Sequence, residues 1–250
     1  MYWFGLTVQW ICIIFQVWIL VQMRRQGLGG RFPLFAAYIT YVTLQMVLRS
    51  AFLANRHLYF YVYWFTAPIE VILSVLAAHE SFLKVFRSFY LLGWFRIFFP
   101  GAIVLAVAYS ARKGYFSPPV DVSPAGAAII SSALTAEYII LAISILFFVL
   151  AKFLHVPWRI HEYRFVLGFG ISSLAVAFAA AVRSAFGTRF EFVSETLPAV
   201  AYMVALAVWL SAVLHAEQAN LRPGESLSPE DAVSNLRRQL LVIRSFLKKR

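Results

Sequence analysis

The sequence predicts an all-α polytopic membrane protein, a seven-transmembrane-helix bundle with its N-terminus outside and its C-terminus cytoplasmic. Three observations carry this expectation. Seven apolar stretches of about twenty residues run from Tyr2 to Ala216, each long enough to cross a ~30 Å hydrocarbon core. The composition is 62% hydrophobic and 13% charged, with a mean hydropathy of +0.76, where soluble domains have about 45–50% apolar and 25% charged residues. Basic residues gather in alternate connections, as membrane topology demands.

The spans read as Tyr2–Met23, Pro33–Leu53, Leu58–Ala78, Phe89–Ser110, Ala127–Leu150, Phe165–Phe186 and Leu197–His215. The first lacks a basic n-region and a small-residue cleavage site, and Arg24-Arg25 follow it. It therefore reads as a retained span with a translocated N-terminus, not a signal peptide. Cys12, the single cysteine, can form no intramolecular disulfide and fits a small packing role. Spans two and three are joined by a short turn at Asn55-Arg56-His57, which suits a tight antiparallel hairpin. Pro68 in span three, Pro100-Gly101 in span four and Pro198 in span seven predict kinks. The connection Ala111 to Gly126, with Ser117-Pro118-Pro119 and Ser123-Pro124, reads as a long irregular outer loop. Spans six and seven carry Gly168, Gly170, Ser172, Ala175, Ala179, Ala201, Ala205 and Ala212, small residues that let helices approach closely in the bundle interior.

Orientation follows from the basic residues. The odd-numbered connections and the tail hold fifteen Lys and Arg, the opposite side six, which places the odd connections in the cytoplasm. The chain thus divides into a transmembrane domain, residues 1–216, and a cytoplasmic tail, residues 217–250. In the tail, Ser228-Pro229-Glu230-Asp231 is a helix start, with a serine cap, proline at the first position and early acids. Val233, Leu236, Leu240, Ile243 and Leu247 then recur at helical spacing, flanked by Arg237, Arg238, Arg244, Lys248 and Lys249. A basic amphipathic helix over about 229–250 suits anionic lipid headgroups; the same seam could pair in a homodimer or with a cytoplasmic signalling partner.

Glu70, Arg96 and Glu137 lie within spans, where ionisable groups are costly and often functional. At about 1.5 Å per residue they fall roughly 18, 20 and 15 Å below the outer edge. A buried polar network at one level is expected, either as a ligand or proton site or as interhelical glue. Tyr59, Tyr63, Thr66, Glu70 and Ser74 line one face of span three. Tyr38, Tyr41 and Gln45 offer a matching face on span two, and Gln9 and Gln16 on span one. With Trp64 these outline a pocket open to the outside, although the outermost aromatics also fit an interfacial belt. Arg49 and Arg183 end their spans and read as snorkelling side chains.

Four histidines, His79, His155, His161 and His215, fall near the cytoplasmic face and are the weak candidates for a metal site; no pair has the i, i+4 spacing of a zinc helix, so no metal is favoured. The charge of +11 lies in loops and tail with no soluble domain to form a groove, which argues against nucleic acid. Span seven has no lysine, so a retinal Schiff base is excluded and no cofactor is expected. The expected function is that of a sensor or signalling-type protein in a cytoplasmic (plasma) membrane, with a small proton-coupled transporter as alternative. A membrane-embedded hydrolase is third, and the balance leans away from an enzyme.

Overall fold

In a computed structural model the chain is described over residues 2–52, 55–86, 93–117, 123–153, 160–186 and 190–215, with side chains except at 2–5, 56, 93–98 and 191. Every element there is a helix: α1 (Tyr2–Arg25), α2 (Leu28–Arg31), α3 (Pro33–Ala51), α4 (Arg56–Val85), α5 (Gly93–Phe116), α6 (Pro124–Phe153), α7 (Ile160–Phe186) and α8 (Glu191–Leu214). Six of them, all but α2 and α5, contain segments long and apolar enough to cross a membrane. The chain is an integral, multi-pass helical membrane protein in contact with lipid.

Several helices outrun the expected spans, and local chemistry explains where they stop. Asn55 caps α4, accepting a hydrogen bond from Leu58 N (3.3 Å), so the turn after span two becomes the first turn of a 30-residue helix. Ser123-Pro124, read from sequence as part of an irregular loop, starts α6 instead: Ser123 Oγ accepts from Gly126 N (3.2 Å) and proline takes the first helical position. At the other side of that connection α5 continues through Phe116. Gly27, at φ 68°, supplies the left-handed turn between α1 and the short α2, which sequence periodicity is too brief to reveal.

Consecutive long helices lie antiparallel, and cross-helix partners fix their register. Gln9 reaches Ser50, Phe35 meets Glu80, Ser110 meets Ser131, Glu137 meets Ser173, and Phe165 meets Trp209. Helices α1, α3, α4, α6, α7 and α8 surround the main core, and α5 flanks α6. Two glycines set the closest approaches. A Cβ on Gly168 would strike the indole of Trp209, which donates to Phe165 O at 3.0 Å; one on Gly114 would lie 2.5 Å from Ala127 O. Gly168 answers the expectation that the small residues of these two helices serve close packing.

At the heart of the bundle sits an aromatic layer. Phe35 stacks on Phe165 (4.1 Å between centroids) and meets Trp209 edge-on (5.3 Å), with Phe169 and Tyr38 closing around them. Phe35, Phe165 and Trp209 are fully buried. Such pairs add about 0.5–1.5 kcal/mol each beyond burial, and their geometry fixes how α3, α7 and α8 sit together.

Candidate functional site

Above the aromatic layer, toward the Arg49 end, six helices each contribute a polar side chain at nearly one level. Gln45 on α3 donates to Glu70 Oε2 on α4 (2.7 Å), and Arg49 lies 3.7 Å from the same oxygen. Gln16 on α1 donates to the Tyr202 hydroxyl on α8 (2.8 Å) and approaches Met46 Sδ (3.6 Å). Ser173 on α7 donates to Glu137 Oε2 on α6 (2.6 Å). The register joins these into a single layer, and Glu70 and Glu137 lie within electrostatic reach of each other and of Tyr38. Gln16 and Gln45 are 0% and 2% exposed, whereas the Glu70 side chain is 36% exposed.

The remaining pocket residues fall around this layer in different ways. Tyr41 donates to Thr66 O (2.9 Å), and Arg49 donates to Thr66 Oγ1 (3.3 Å) while covering the Tyr63 ring at 4.6 Å. Arg49, a snorkelling residue by sequence, thus turns inward, because an acid and an aromatic face await it one helix away. Gln9 spends its amide on Met46 O (3.0 Å) and Ser50 Oγ (2.8 Å), nearer the helix ends. Ser74 returns its hydroxyl to Val71 O within α4 (2.9 Å). Trp64 meets Tyr63 and Phe60 edge-on.

Arg96 stands apart. Phe99 stacks on His79 (5.7 Å) and Phe82 (5.6 Å), so the Arg96 backbone, one turn earlier, lies about 15–20 Å along the bundle from the level of Glu70. The equal depths inferred from sequence assumed a span ending at Ser110; α5 runs on to Phe116 and slides Arg96 toward the Lys84 end. Its side chain lies outside the described residues, as do His155 and the tail with Arg237, Arg238, Arg244, Lys248 and Lys249.

A second polar layer lies beyond the aromatics, and sequence reasoning missed it. Arg31 donates to Glu162 Oε1 (2.9 Å), and Lys84 lies 3.6 Å from Glu80 Oε1 and 3.8 Å over the Phe32 ring. Glu80 Oε2 accepts from Phe35 N (2.9 Å). That bond has a clear cause. Phe32 at the α3 N-cap offers no side-chain acceptor, so a carboxylate from α4 caps the helix and meets its positive end. The signal was present as two His-Glu pairs, His79-Glu80 and His161-Glu162, but attention fell on the histidines. Of these, His79 stacks on Phe99, His161 is 1% exposed beside Phe165, and His215 Nδ1 lies 2.9 Å from Arg164 Nη1. Among the described residues no group of three or more His, Cys, Asp or Glu gathers as a metal set.

Fold and sites together define a polytopic helical membrane protein with two buried polar layers about 15 Å apart, ten residues of α4 between Glu70 and Glu80. No family model matches the chain, and neither the curated proteins nor the solved structures yield a match.

Proposed function

We propose that the chain is a seven-span sensor-type protein of the cytoplasmic membrane, with α5 as the additional span, the N-terminus outside and the tail in the cytoplasm. It receives a small ligand or a proton at the layer around Glu70 and transmits the change to the cytoplasmic end. One observation carries this reading: Glu70, at the midpoint of α4, holds both Gln45 and Arg49 yet keeps a third of its side chain open. A partnered but accessible acid at mid-span is a position that can exchange its partner. The tail, with its basic amphipathic pattern, supplies the contact to anionic lipid, a cytoplasmic partner or a second copy.

The test compares wild type with Glu70→Gln by hydrogen exchange in lipid nanodiscs. Altered protection around Arg31, Lys84 and Glu162, about 15 Å from the substitution, is expected. Unchanged protection there refutes transmission. A small proton-coupled carrier is the second reading, favoured by two carboxylates from different helices within reach of each other. In liposomes with an internal pH dye, a proton flux abolished by Glu70→Gln establishes the carrier and removes the sensor. Deleting Ser228–Arg250 abolishes output in a sensor and leaves carrier flux intact.

A further inference from the structure

The layer around Glu70 has an imbalance of charge and of hydrogen-bond donors. Its two carboxylates, Glu70 and Glu137, face one guanidinium, Arg49, which is committed to Glu70, Thr66 and the Tyr63 ring. Among the described residues no basic side chain pairs with Glu137; Ser173 supplies its hydrogen bond. One negative charge is left over.

Two amide oxygens add to this. An ionised carboxylate only accepts, so the Gln45 amide must present its NH2 to Glu70 and turn Oε1 away. The Gln16 NH2 is fixed in the same sense by the Met46 thioether, a weak acceptor, and by the Tyr202 hydroxyl. Gln16 Oε1 and Gln45 Oε1 are both buried without a hydrogen-bond partner. Buried acceptors are costly to leave dry. A water molecule could donate to them, but it brings no charge, and the surplus in this layer is a charge.

We infer that this layer binds one small monovalent cation, with the amide oxygens of Gln16 and Gln45 as neutral ligands and Glu137 as its counter-charge. This deepens, and rests on, the proposed ligand site around Glu70. The donors are all oxygen, which suits a hard alkali ion or the N–H groups of a primary ammonium and not a thiophilic transition metal. The second polar layer has no such imbalance: Arg31 and Lys84 face Glu80 and Glu162, two charges of each sign.

The experiment is thermal unfolding of the purified full-length protein at constant ionic strength. Sodium, potassium, ammonium and methylammonium chlorides are compared with N-methylglucamine chloride, whose cation is too large to enter. A saturable rise of a few degrees with a small cation is expected, because a ligand that binds only the folded state stabilises it by mass action. Gln16→Met and Gln45→Met, which keep volume and remove the oxygen, should lose that rise, as should Glu137→Gln. A rise with sodium or potassium alone assigns a metal ion, and one with the ammonium salts alone an amine; one shared by all small cations supports the common chemistry. Equal melting in every salt, or a rise undiminished in the variants, overturns the inference. Calorimetric titration of the wild type with the same salts decides the matter where a variant fails to fold, and no saturable heat overturns it. If cation binding fails while Glu70→Gln still alters protection at the far end, only the ligand class falls. If the cation binds but Glu70→Gln transmits nothing, the sensor reading falls instead.

Discussion

Removing one partner from the Arg31–Glu162 pair should give unequal costs, and the inequality can be worked from burial. The Glu162 side chain is 1% exposed and that of Arg31 34%. Arg31→Met leaves a carboxylate that cannot reach water and has only Lys84 nearby to offset it. Stranding a buried charge costs about 3–5 kcal/mol; with Lys84 still present, a loss of about 2–4 kcal/mol is expected. Glu162→Leu strands nothing, because the guanidinium already borders solvent and can turn outward. Discounted for that exposure, the loss is about 1 kcal/mol, near the value of a weakly screened ion pair. The double variant should recover most of the Arg31→Met loss, giving a coupling of at least about 1 kcal/mol. The assay is reversible unfolding by SDS titration in mixed micelles, followed by tryptophan fluorescence. Equal single-variant costs, or strict additivity in the double, would refute the claim that Glu162 is buried and held by Arg31.

Two further outcomes test the packing that positions the layers. Gly168→Ala drives a methyl into the Trp209 indole and should cost about 1–3 kcal/mol, seen as a lower unfolding midpoint; an unchanged midpoint is incompatible with that contact. Cysteines at Ser110 and Ser131, in a Cys12→Ser background, should cross-link readily because Ser110 Oγ lies 3.0 Å from Ser131 O. Adding Gly114→Val should suppress the cross-link, since the Ala127 and Ser131 atoms facing Gly114 leave no room for a Cβ; efficient cross-linking in that variant would contradict the α5–α6 register.

Apolar length and composition made the helical membrane class legible, because those properties are set by the bilayer and need no tertiary information. The pairing of Gln45 with Glu70 was half legible: helical periodicity placed both on inward faces but could not say that they meet. Arg49 was misjudged because snorkelling is a rule about span ends, whereas its partner lies on a neighbouring helix whose register only the fold supplies. Arg96 shows a related limit. Depth estimates inherit any error in a helix end, and six residues at 1.5 Å each displace a side chain by about 9 Å. The inner charges were hidden for another reason. Glu80 and Lys84 sit beyond the expected end of span three at Ala78, so they looked like residues of a wet connection, yet α4 carries them two turns further into a protein-covered site.

The two layers meet different physical requirements, and this separates a structural role from a ligand-binding one. A network that only holds helices together is most economical when charge balances, because each uncompensated ion retains its desolvation cost. The inner layer satisfies this, and one of its acids also caps α3, which gives it a structural purpose complete in itself. The Glu70 layer does not: it holds a spare negative charge and two dry amide oxygens while one acid stays partly open. Its partners come from six helices, so an occupant there bears on the relative placement of nearly the whole bundle. The aromatic layer keeps the two sets of charges about 15 Å apart along α4, far enough that they do not neutralise each other directly. Any influence of Glu70 on the inner end must then travel through the shared helices α3 and α4, each of which carries one residue of either layer: Gln45 and Phe35, Glu70 and Glu80.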